Sequence, residues 1–415
     1  MPVRGIKNIM IKKIFVFLYI IFPFFISAQE YRTPQWLVPI LDYAPEIVSR
    51  SAFLIDAHTG ALLYSKNSDD EIPPASLTKL MTMHLLMNEV EAGRSSYDEL
   101  IPITVESWAQ SQPPRSSLMF LEPGQIVTLR EIMLGLAVSS GNDAAVAAAL
   151  RLAPNMAEFA AIMNAEARRM GMSVTRFTES SGISEENITT AAEFAHFCRQ
   201  YVNLHPDSMK NFHSVLTFSY PLPANVPERY RATRRTYTQN NQNSLLWTFR
   251  GVDGLKTGFI EESGNNIALT AVRNETRFIL VLLGAPSGRA GRIARAEDAE
   301  RLLTWAYDNF KTVKIPPPGR VEVPVWKGKE NTVLLDSFEP LDFTSRTDRA
   351  SDYTIEVVIP EQLIAPIPEG FTAGYRLIKD QRGELRRIPL ITTSAVERAG
   401  VFKRIWHSIV LFFSK

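Results

Sequence analysis

The order of hydrophobic and polar positions divides the first 310 residues into strands near both ends and helices between them. Short apolar runs at 52–55 and 61–64 flank a polar turn, and runs at 267–272 and 278–283 flank another. Apolar residues recur at helical spacing in the segments 76–91, 130–138, 144–152, 155–170, 191–201 and 290–310. The pattern predicts an α+β fold in which both chain ends supply an antiparallel sheet, with helices on both faces and a helical insert.

A second region follows the stiff segment Pro-Pro-Pro-Gly at 316–319. Its short strand-like runs are 321–326, 331–335, 353–358, 375–379 and 384–388, with a hairpin turn at 380–383. We therefore predict a first domain at 29–314 and a small all-β domain at 315–393. The second region has no cluster of histidines, cysteines or paired carboxylates, so we assign it no chemistry.

The N-terminus has the pattern of an export signal. Arg4, Lys7, Lys12 and Lys13 precede an apolar run at 14–26, which is too short for a comfortable membrane span. Small residues at 27–28 offer a cleavage site, so residues 1–28 are predicted to be a signal peptide. An uncleaved N-terminal anchor is the alternative, and both interpretations export the rest of the chain.

The C-terminus, 394–415, has the pattern of an amphipathic helix. The apolar stripe consists of Val401, Phe402, Ile405, Trp406, Ile409, Phe412 and Phe413, and the cations Lys403 and Arg404 and the aromatic His407 lie on the other side. Such a helix lies in a membrane interface, and this one is too short and too charged to span the bilayer. We expect peripheral anchoring at the outer face of the cytoplasmic membrane. The alternative is a terminal helix packed on its own domain.

Composition excludes several classes of protein. The 415 residues are 45% hydrophobic with a formal net charge of +1, which suits a sizeable core and gives no sign of a nucleic-acid binder. Cys198 is the only cysteine, so a disulfide within the chain is impossible. Its apolar helical surroundings indicate a core position.

The first chemical motif is Ser76-Leu-Thr-Lys79, at the start of a predicted helix. Residues three apart lie on one helix face, so the Lys79 amine can reach the Ser76 hydroxyl. A serine nucleophile needs such a base, and lysine can serve if burial or a nearby cation lowers its pKa from about 10.4 to about 7–8. Alone, this short pattern also fits an ordinary surface helix turn.

Two further motifs complete a candidate site. Ser140-Gly-Asn142 lies between two apolar helices, where its hydroxyl can relay a proton and its amide can bind a peptide. Lys256-Thr-Gly258 offers a cation and a hydroxyl for a terminal carboxylate, and its glycine lets a substrate backbone approach closely. An N-capped turn and an ordinary strand end are the respective alternatives.

Taken together, Ser-x-x-Lys, Ser-x-Asn and Lys-Thr-Gly form the motif set of the penicillin-binding and β-lactamase superfamily. The segments 56–60, 75–81, 140–144, 252–258, 283–287 and 302–305 resemble low-molecular-mass D-alanyl-D-alanine carboxypeptidases of the penicillin-binding protein 5 type. The resemblance is dense over 48–310. It implies a β-lactamase/transpeptidase-like domain, a small β-domain and a C-terminal anchor helix, as the chain pattern also indicates.

The resemblance implies a role for each motif residue. Ser76 attacks the penultimate D-alanine carbonyl of a peptidoglycan stem peptide, Lys79 takes its proton, and Ser140 passes a proton to the leaving D-alanine. Asn142 holds the peptide. The backbone N–H groups of Ser76 and Phe259 form the oxyanion hole. The residues expected at the terminal carboxylate are Lys256, Thr257 and Arg295, with Gly258 beside them. No metal or cofactor is needed, and β-lactams are expected to be covalent inhibitors.

Three features depart from the family pattern. Phe259 stands where relatives often have histidine, the stretch 177–182 lacks an Asn-Pro element, and the segment 220–250 is long and polar. The last two could alter substrate-facing loops. A D,D-endopeptidase cutting crosslinks and a non-catalytic envelope scaffold remain alternatives. A class A β-lactamase does not fit, because no Glu-x-x-Leu-Asn stretch is present.

Overall fold

The computed structural model describes residues 44–380 and 383–413. The predicted signal peptide at 1–28 and the two central residues of the predicted 380–383 turn lie outside these ranges. The strands are β1 (Ser51–Asp56), β2 (Leu62–Lys66), β3 (Thr217–Tyr220), β4 (Tyr237–Asn240), β5 (Val252–Ile260), β6 (Gly264–Arg273), β7 (Thr276–Ala285), β8 (Phe310–Val313), β9 (Val321–Trp326), β10 (Thr332–Asp336), β11 (Phe343–Arg346), β12 (Thr354–Val358), β13 (Leu363–Ile364), β14 (Thr372–Asp380) and β15 (Gly383–Thr392). The helices are α1 (Lys79–Glu91), α2 (Leu129–Leu134), α3 (Asn142–Leu152), α4 (Met156–Arg169), α5 (Ala191–Leu204), α6 (Leu245–Thr248), α7 (Gly288–Asn309) and α8 (Val401–Phe413).

A five-stranded antiparallel sheet forms the centre of the first domain, in the order β2-β1-β7-β6-β5. Both faces are covered. Phe53 and Ile55 of β1 pack into the core shared with helices α1 to α5, whereas Leu54 packs into the core beneath α7. Burial on both faces explains why β1 is a continuous apolar run without alternation. The predicted α+β fold is confirmed.

Two helix ends near the sheet differ from the sequence-based prediction. The predicted helix at 76–91 begins with a 3₁₀ turn, Ala75–Thr78, and becomes α-helical only at Lys79. The predicted helix at 130–138 changes from α to a wider π turn at Gly135–Ser139, after which Ser140 adopts a left-handed conformation with φ 57°. The 3₁₀ turn contains Ser76, and the π turn ends immediately before Ser140, in line with the frequent use of π turns at functional sites.

The second domain is built on a six-stranded sheet, β12-β14-β15-β10-β9-β13, with its own apolar core. A separate pair joins β8 to β11, so a strand that precedes the 316–319 linker pairs with one that follows it. The buried Asp56 carboxylate accepts hydrogen bonds from Thr312 and Thr344 at 2.7 and 2.8 Å. This carboxylate thus joins the first domain to the β8–β11 pair.

Helix α8 leaves much of its apolar surface uncovered. Phe402, Phe412 and Phe413 are 90%, 77% and 81% exposed, while His407 Nδ1 accepts a hydrogen bond from the Lys327 backbone N–H at 2.8 Å. Among the described residues no single helix has the length and apolarity to cross a bilayer, although the bent pair α3 and α4, at 84°, meets those criteria jointly.

Candidate active site

Ser76 and Lys79 meet on the 3₁₀ turn that opens α1. A 3₁₀ helix has three residues per turn, so side chains at positions i and i+3 eclipse one another. The Lys79 Nζ atom lies 3.0 Å from Ser76 Oγ. Ser76 is partly exposed and Lys79 is fully buried, so the hydroxyl faces the cleft and the amine lies beneath it.

The Lys79 amine has two further partners. It donates to Asn142 Oδ1 at 2.8 Å and to the Ser181 carbonyl at 2.6 Å. Burial lowers the Lys79 pKa from 10.5 to about 7, and the more distant carboxylates of Glu179 and Asp143 partly oppose this shift. A substantial fraction of the amine is therefore uncharged near neutral pH, as a proton acceptor requires.

The Ser140–Asn142 loop is fixed from behind by a carboxylate. Asp143 accepts backbone N–H bonds from Met119, Phe120 and Leu121 at 2.8–2.9 Å. Burial raises the pKa of Asp143, whereas these N–H groups oppose the rise. The Asn142 amide links two parts of the cleft wall. Its Nδ2 donates to Ser116 Oγ at 3.1 Å, and its Oδ1 accepts from Lys79 Nζ.

Strand β5 passes directly over the Ser76 backbone. A Cβ atom on Gly258 would lie 2.8 Å from the Pro74 carbonyl oxygen and 3.0 Å from the Ser76 nitrogen. Contacts this short are tighter than real Cβ atoms tolerate, so the close approach requires glycine.

Two buried cations lie beside this crossing. Lys256 Nζ donates to the Thr257 carbonyl at 3.0 Å, and burial, followed by the charges of Lys79 and Arg295, lowers the Lys256 pKa well below its usual value. Arg295 of α7 donates from Nη1 to the Asn266 carbonyl at 3.1 Å, and its buried Nε has no hydrogen-bond partner among the described residues. Burial, with a smaller effect of Arg292, lowers the Arg295 pKa to about 10. The pair forms a positive region that suits an anionic ligand.

These elements enclose a cleft of about 610 Å³. The sequence-predicted residues that line it are Ser76, Ser140, Asn142, Thr257, Gly258, Phe259 and Arg295. Phe259 stands at the rim and is 43% exposed. Lys79 and Lys256 lie just below the surface, each within reach of a cleft residue. The structure thus brings the predicted residues to one place, while the role of each stays a prediction. Within the described residues no cluster of three or more potential metal ligands occurs.

The 177–182 stretch contributes a part of the site that sequence reasoning missed. Glu179 accepts from the backbone N–H groups of Ser181 and Gly182, each at 2.6 Å, and this turn presents the Ser181 carbonyl to Lys79. Gly182 has φ +81°, and a Cβ there would lie 1.8 Å from the Ala75 carbonyl oxygen. The sequence analysis expected this stretch to affect a substrate-facing loop, but nothing in the sequence says that it touches Lys79.

The long polar segment at 220–250 has two roles in the structure. Asn241 and Asn243 are buried and bond backbone carbonyls, whereas Gln242 lines the cleft. Asn241 and Asn243 therefore hold the backbone in place, and Gln242 faces the cleft. Cys198 is fully buried, and its desolvation raises the thiol pKa, which agrees with the predicted core position.

Comparison with known proteins places this geometry in a family. The family model for D-alanyl-D-alanine carboxypeptidase matches residues 40–287, and the model for the C-terminal domain of penicillin-binding protein 5 matches 310–398. The D-alanyl-D-alanine carboxypeptidase DacD of Salmonella typhimurium is 31% identical over 401 residues, covering 92% of this chain and 96% of the relative.

Solved structures agree with the sequence comparison. Penicillin-binding protein 5 from Haemophilus influenzae superposes with a TM-score of 0.77 at 27% identity, covering 86% of this chain and 99% of that one. Penicillin-binding protein D2 from Listeria monocytogenes, in its cefotaxime-bound form, superposes with a TM-score of 0.53 at 26% identity, covering 63% of this chain and 97% of that one. The resemblance drawn from the motifs is therefore confirmed, and the chain belongs to the D-alanyl-D-alanine carboxypeptidase family of low-molecular-mass, penicillin-binding serine peptidases.

Proposed function

We propose that this chain removes the terminal D-alanine from peptidoglycan stem pentapeptides through an acyl-enzyme on Ser76. The observation that carries the proposal is the Lys79 amine, which lies 3.0 Å from the Ser76 hydroxyl and has a pKa of about 7. A buried amine poised near neutral pH can accept the hydroxyl proton as the nucleophile attacks.

In the acylation step, Ser76 Oγ attacks the carbonyl of the penultimate D-alanine while its proton passes to Lys79. The backbone N–H groups of Ser76 and Phe259 stabilise the oxyanion. Collapse of the tetrahedral intermediate breaks the peptide bond. Ser140 relays a proton to the leaving amine, and the product is free D-alanine and a serine ester.

Substrate orientation follows from the charges of the cleft. Lys256 and Thr257 receive the terminal carboxylate, and Arg295 adds a second cation whose Nε has no described partner. Asn142 holds the peptide backbone from the opposite wall. Water then hydrolyses the ester, which completes the carboxypeptidase reaction. A β-lactam would open on the same serine and remain as a covalent adduct.

The first experiment is labelling with fluorescent penicillin. The wild type is expected to form a covalent adduct, and Ser76→Ala is expected to abolish it, because the ester oxygen is lost. An unlabelled wild type would defeat the enzymatic interpretation and favour the scaffold alternative.

Mass spectrometry separates the two hydrolytic activities. Incubation with a stem pentapeptide should release one D-alanine, giving a tetrapeptide that is absent with Ser76→Ala. Incubation with a crosslinked peptide dimer tests the endopeptidase alternative. Cleavage of the dimer without trimming of the pentapeptide would contradict the carboxypeptidase assignment.

We also propose that the protein is exported and bound at the outer face of the cytoplasmic membrane through α8. The exposed phenyl rings of Phe402, Phe412 and Phe413 support this proposal, because an amphipathic helix binds an interface with its apolar face. Flotation with anionic phospholipid vesicles should recover the wild type at the lipid layer. Replacing these three residues with serine should leave the protein at the bottom, whereas Phe338→Ser, at another exposed phenylalanine, should float as the wild type does.

A further inference from the structure

The cleft continues beyond the catalytic residues along the free edge of the central sheet. Strand β5 is the last strand in the order β2-β1-β7-β6-β5, and consecutive residues 257–262 line the cleft. An unpaired strand edge can bind an extended peptide by adding it to the sheet. The stem peptide is therefore expected to run along β5.

The direction of that peptide follows from the proposed function, on which this inference rests. The terminal carboxylate lies at Lys256 and Thr257, and the scissile carbonyl lies where Gly258 crosses the Ser76 nitrogen. The acyl part of the peptide must then continue past Phe259 toward the end of β5. An extended chain advances about 3.3 Å per residue, so the third stem residue lies beside the β5–β6 turn.

Four charged side chains surround this end of the cleft. Glu261 and Glu262 are exposed on the β5–β6 turn, and Arg289 and Arg292 are exposed on the first turns of α7. The arginines are three residues apart, so they share one helix face. Within the described part of the chain none of the four forms a side-chain hydrogen bond or an ion pair. The cleft therefore presents separate acidic and basic groups without internal neutralisation.

We infer that Glu261, Glu262, Arg289 and Arg292 form a subsite for a third stem residue whose side chain ends in both an ammonium and a carboxylate. Such a diamino-diacid side chain places its ammonium against the glutamates and its carboxylate against the arginines. A lysine-type third residue satisfies the glutamates only and leaves the arginines without a counter-charge. These surface contacts are charge-assisted, and they select among stem peptides more than they accelerate the reaction.

The test compares three pentapeptides that differ only at the third position: meso-diaminopimelate, L-lysine or norleucine. D-Alanine release gives kcat/KM for each, after titration of active sites with fluorescent penicillin, which has no third residue. The wild type is expected to prefer the diaminopimelate peptide over the lysine peptide about tenfold, which corresponds to one charge-assisted contact of about 1.4 kcal/mol. Equal kcat/KM values for the three peptides would overturn the subsite. Absence of release from all three would instead defeat the proposed function.

Two double variants assign the charges. Arg289→Gln with Arg292→Gln should reduce the diaminopimelate-to-lysine ratio to about one. Glu261→Gln with Glu262→Gln should reduce the lysine-to-norleucine ratio to about one. Arg168→Gln, at an exposed arginine outside the cleft, should keep the wild-type ratios. Ratios that the arginine pair does not change would refute the assignment, even if the wild type prefers diaminopimelate.

Discussion

The catalytic cleft and a second group of side chains in the same domain differ in how their ionisable groups are paired. The second group, called here the histidine chain, consists of Glu91, His205, His84 and Glu166. In the cleft, the basic side chains Lys79, Lys256 and Arg295 are buried, and none forms an ion pair within the described residues. In the histidine chain, each histidine lies against a glutamate carboxylate. Basic side chains without a charged partner are available to bind a ligand, whereas ionisable side chains that are paired within the protein stabilise the fold.

The histidine chain links three helices behind the site. His84 Nε2 lies 2.6 Å from Glu166 Oε1, His84 Nδ1 lies 2.7 Å from His205 Nε2, and His205 Nδ1 lies 2.5 Å from Glu91 Oε1. Arg169 pairs with the same Glu166 carboxylate at 2.6 Å and is the largest cause of the lowered Glu166 pKa.

Within the described residues, the basic side chains of the cleft have no carboxylate paired with them. Their lowered pKa values record the free energy that burial costs the charged forms, since desolvation is the largest cause for each. The terminal carboxylate of the substrate would supply a counter-charge to Lys256 and Arg295. The comparison therefore predicts that substitutions in the cleft reduce activity without loss of stability. Substitutions in the histidine chain should reduce stability without loss of activity.

The largest effect is expected from Lys79. Because its pKa is about 7, the acylation rate by penicillin should fall about tenfold per pH unit below 7 and level off above it. Lys79→Arg places a permanent cation beside Ser76 and should reduce acylation at least about 10³-fold at every pH. Stopped-flow labelling between pH 5 and 9 measures both. A wild-type rate that does not vary over this range would exclude Lys79 as the proton acceptor.

The next effect concerns Lys256. Lys256→Met should reduce kcat/KM for D-alanine release about 10²-fold, through loss of a charge-assisted contact to the carboxylate. The same change should raise Tm by about 2–4 °C, because the folded state no longer buries an unpaired cation. The sign follows from the lowered pKa, which makes burial of the charged amine unfavourable at neutral pH. Calorimetry measures Tm and steady-state kinetics measures kcat/KM on the same sample. A Tm below that of the wild type would contradict the view that the buried Lys256 amine destabilises the fold.

The histidine chain should respond in the opposite way. His84→Leu leaves Glu166 and His205 without their shared partner and should lower the free energy of unfolding by about 2–4 kcal/mol. The control is His58→Leu, whose ring is 43% exposed where it bonds to Asp342 and should contribute at most about 1 kcal/mol. Urea denaturation measures both variants. Similar losses for the two would show that the buried chain has no special stabilising role.

The smallest effect is expected from Gly258→Ala. The new Cβ would press on the Pro74 carbonyl and the Ser76 nitrogen, and a small shift of β5 should reduce the rate of acylation by penicillin about tenfold. Gly319→Ala is the control, since no atom lies within 4 Å of its added Cβ. Penicillin acylation rates compare the two. Equal rates would mean that β5 has room to move away from Ser76.

The catalytic residues could be predicted from the sequence, whereas most of the residues that hold them in place could not. Ser76 and Lys79 are three residues apart, so any helical turn brings them together, and this contact is local. The contact from Ser181 to Lys79 joins residues 102 positions apart and has no sequence signature. The β3–β4 hairpin was not predicted either. Its polar residues pair through tertiary contacts, and the pattern of residues along the chain does not record such contacts.

The sequence by itself determined the α+β order of elements, the family and the identity of the chemical groups, because periodicity and motif spacing depend on neighbours along the chain. Only the tertiary structure decided that Lys79 is buried, that Lys256 and Arg295 have no paired carboxylate among the described residues, and that Glu261 and Arg292 border one cleft. Burial and counter-charge are properties of the packed environment, which distant segments supply. The same lysine would have an ordinary pKa on a surface helix, and folding into this interior makes it a base.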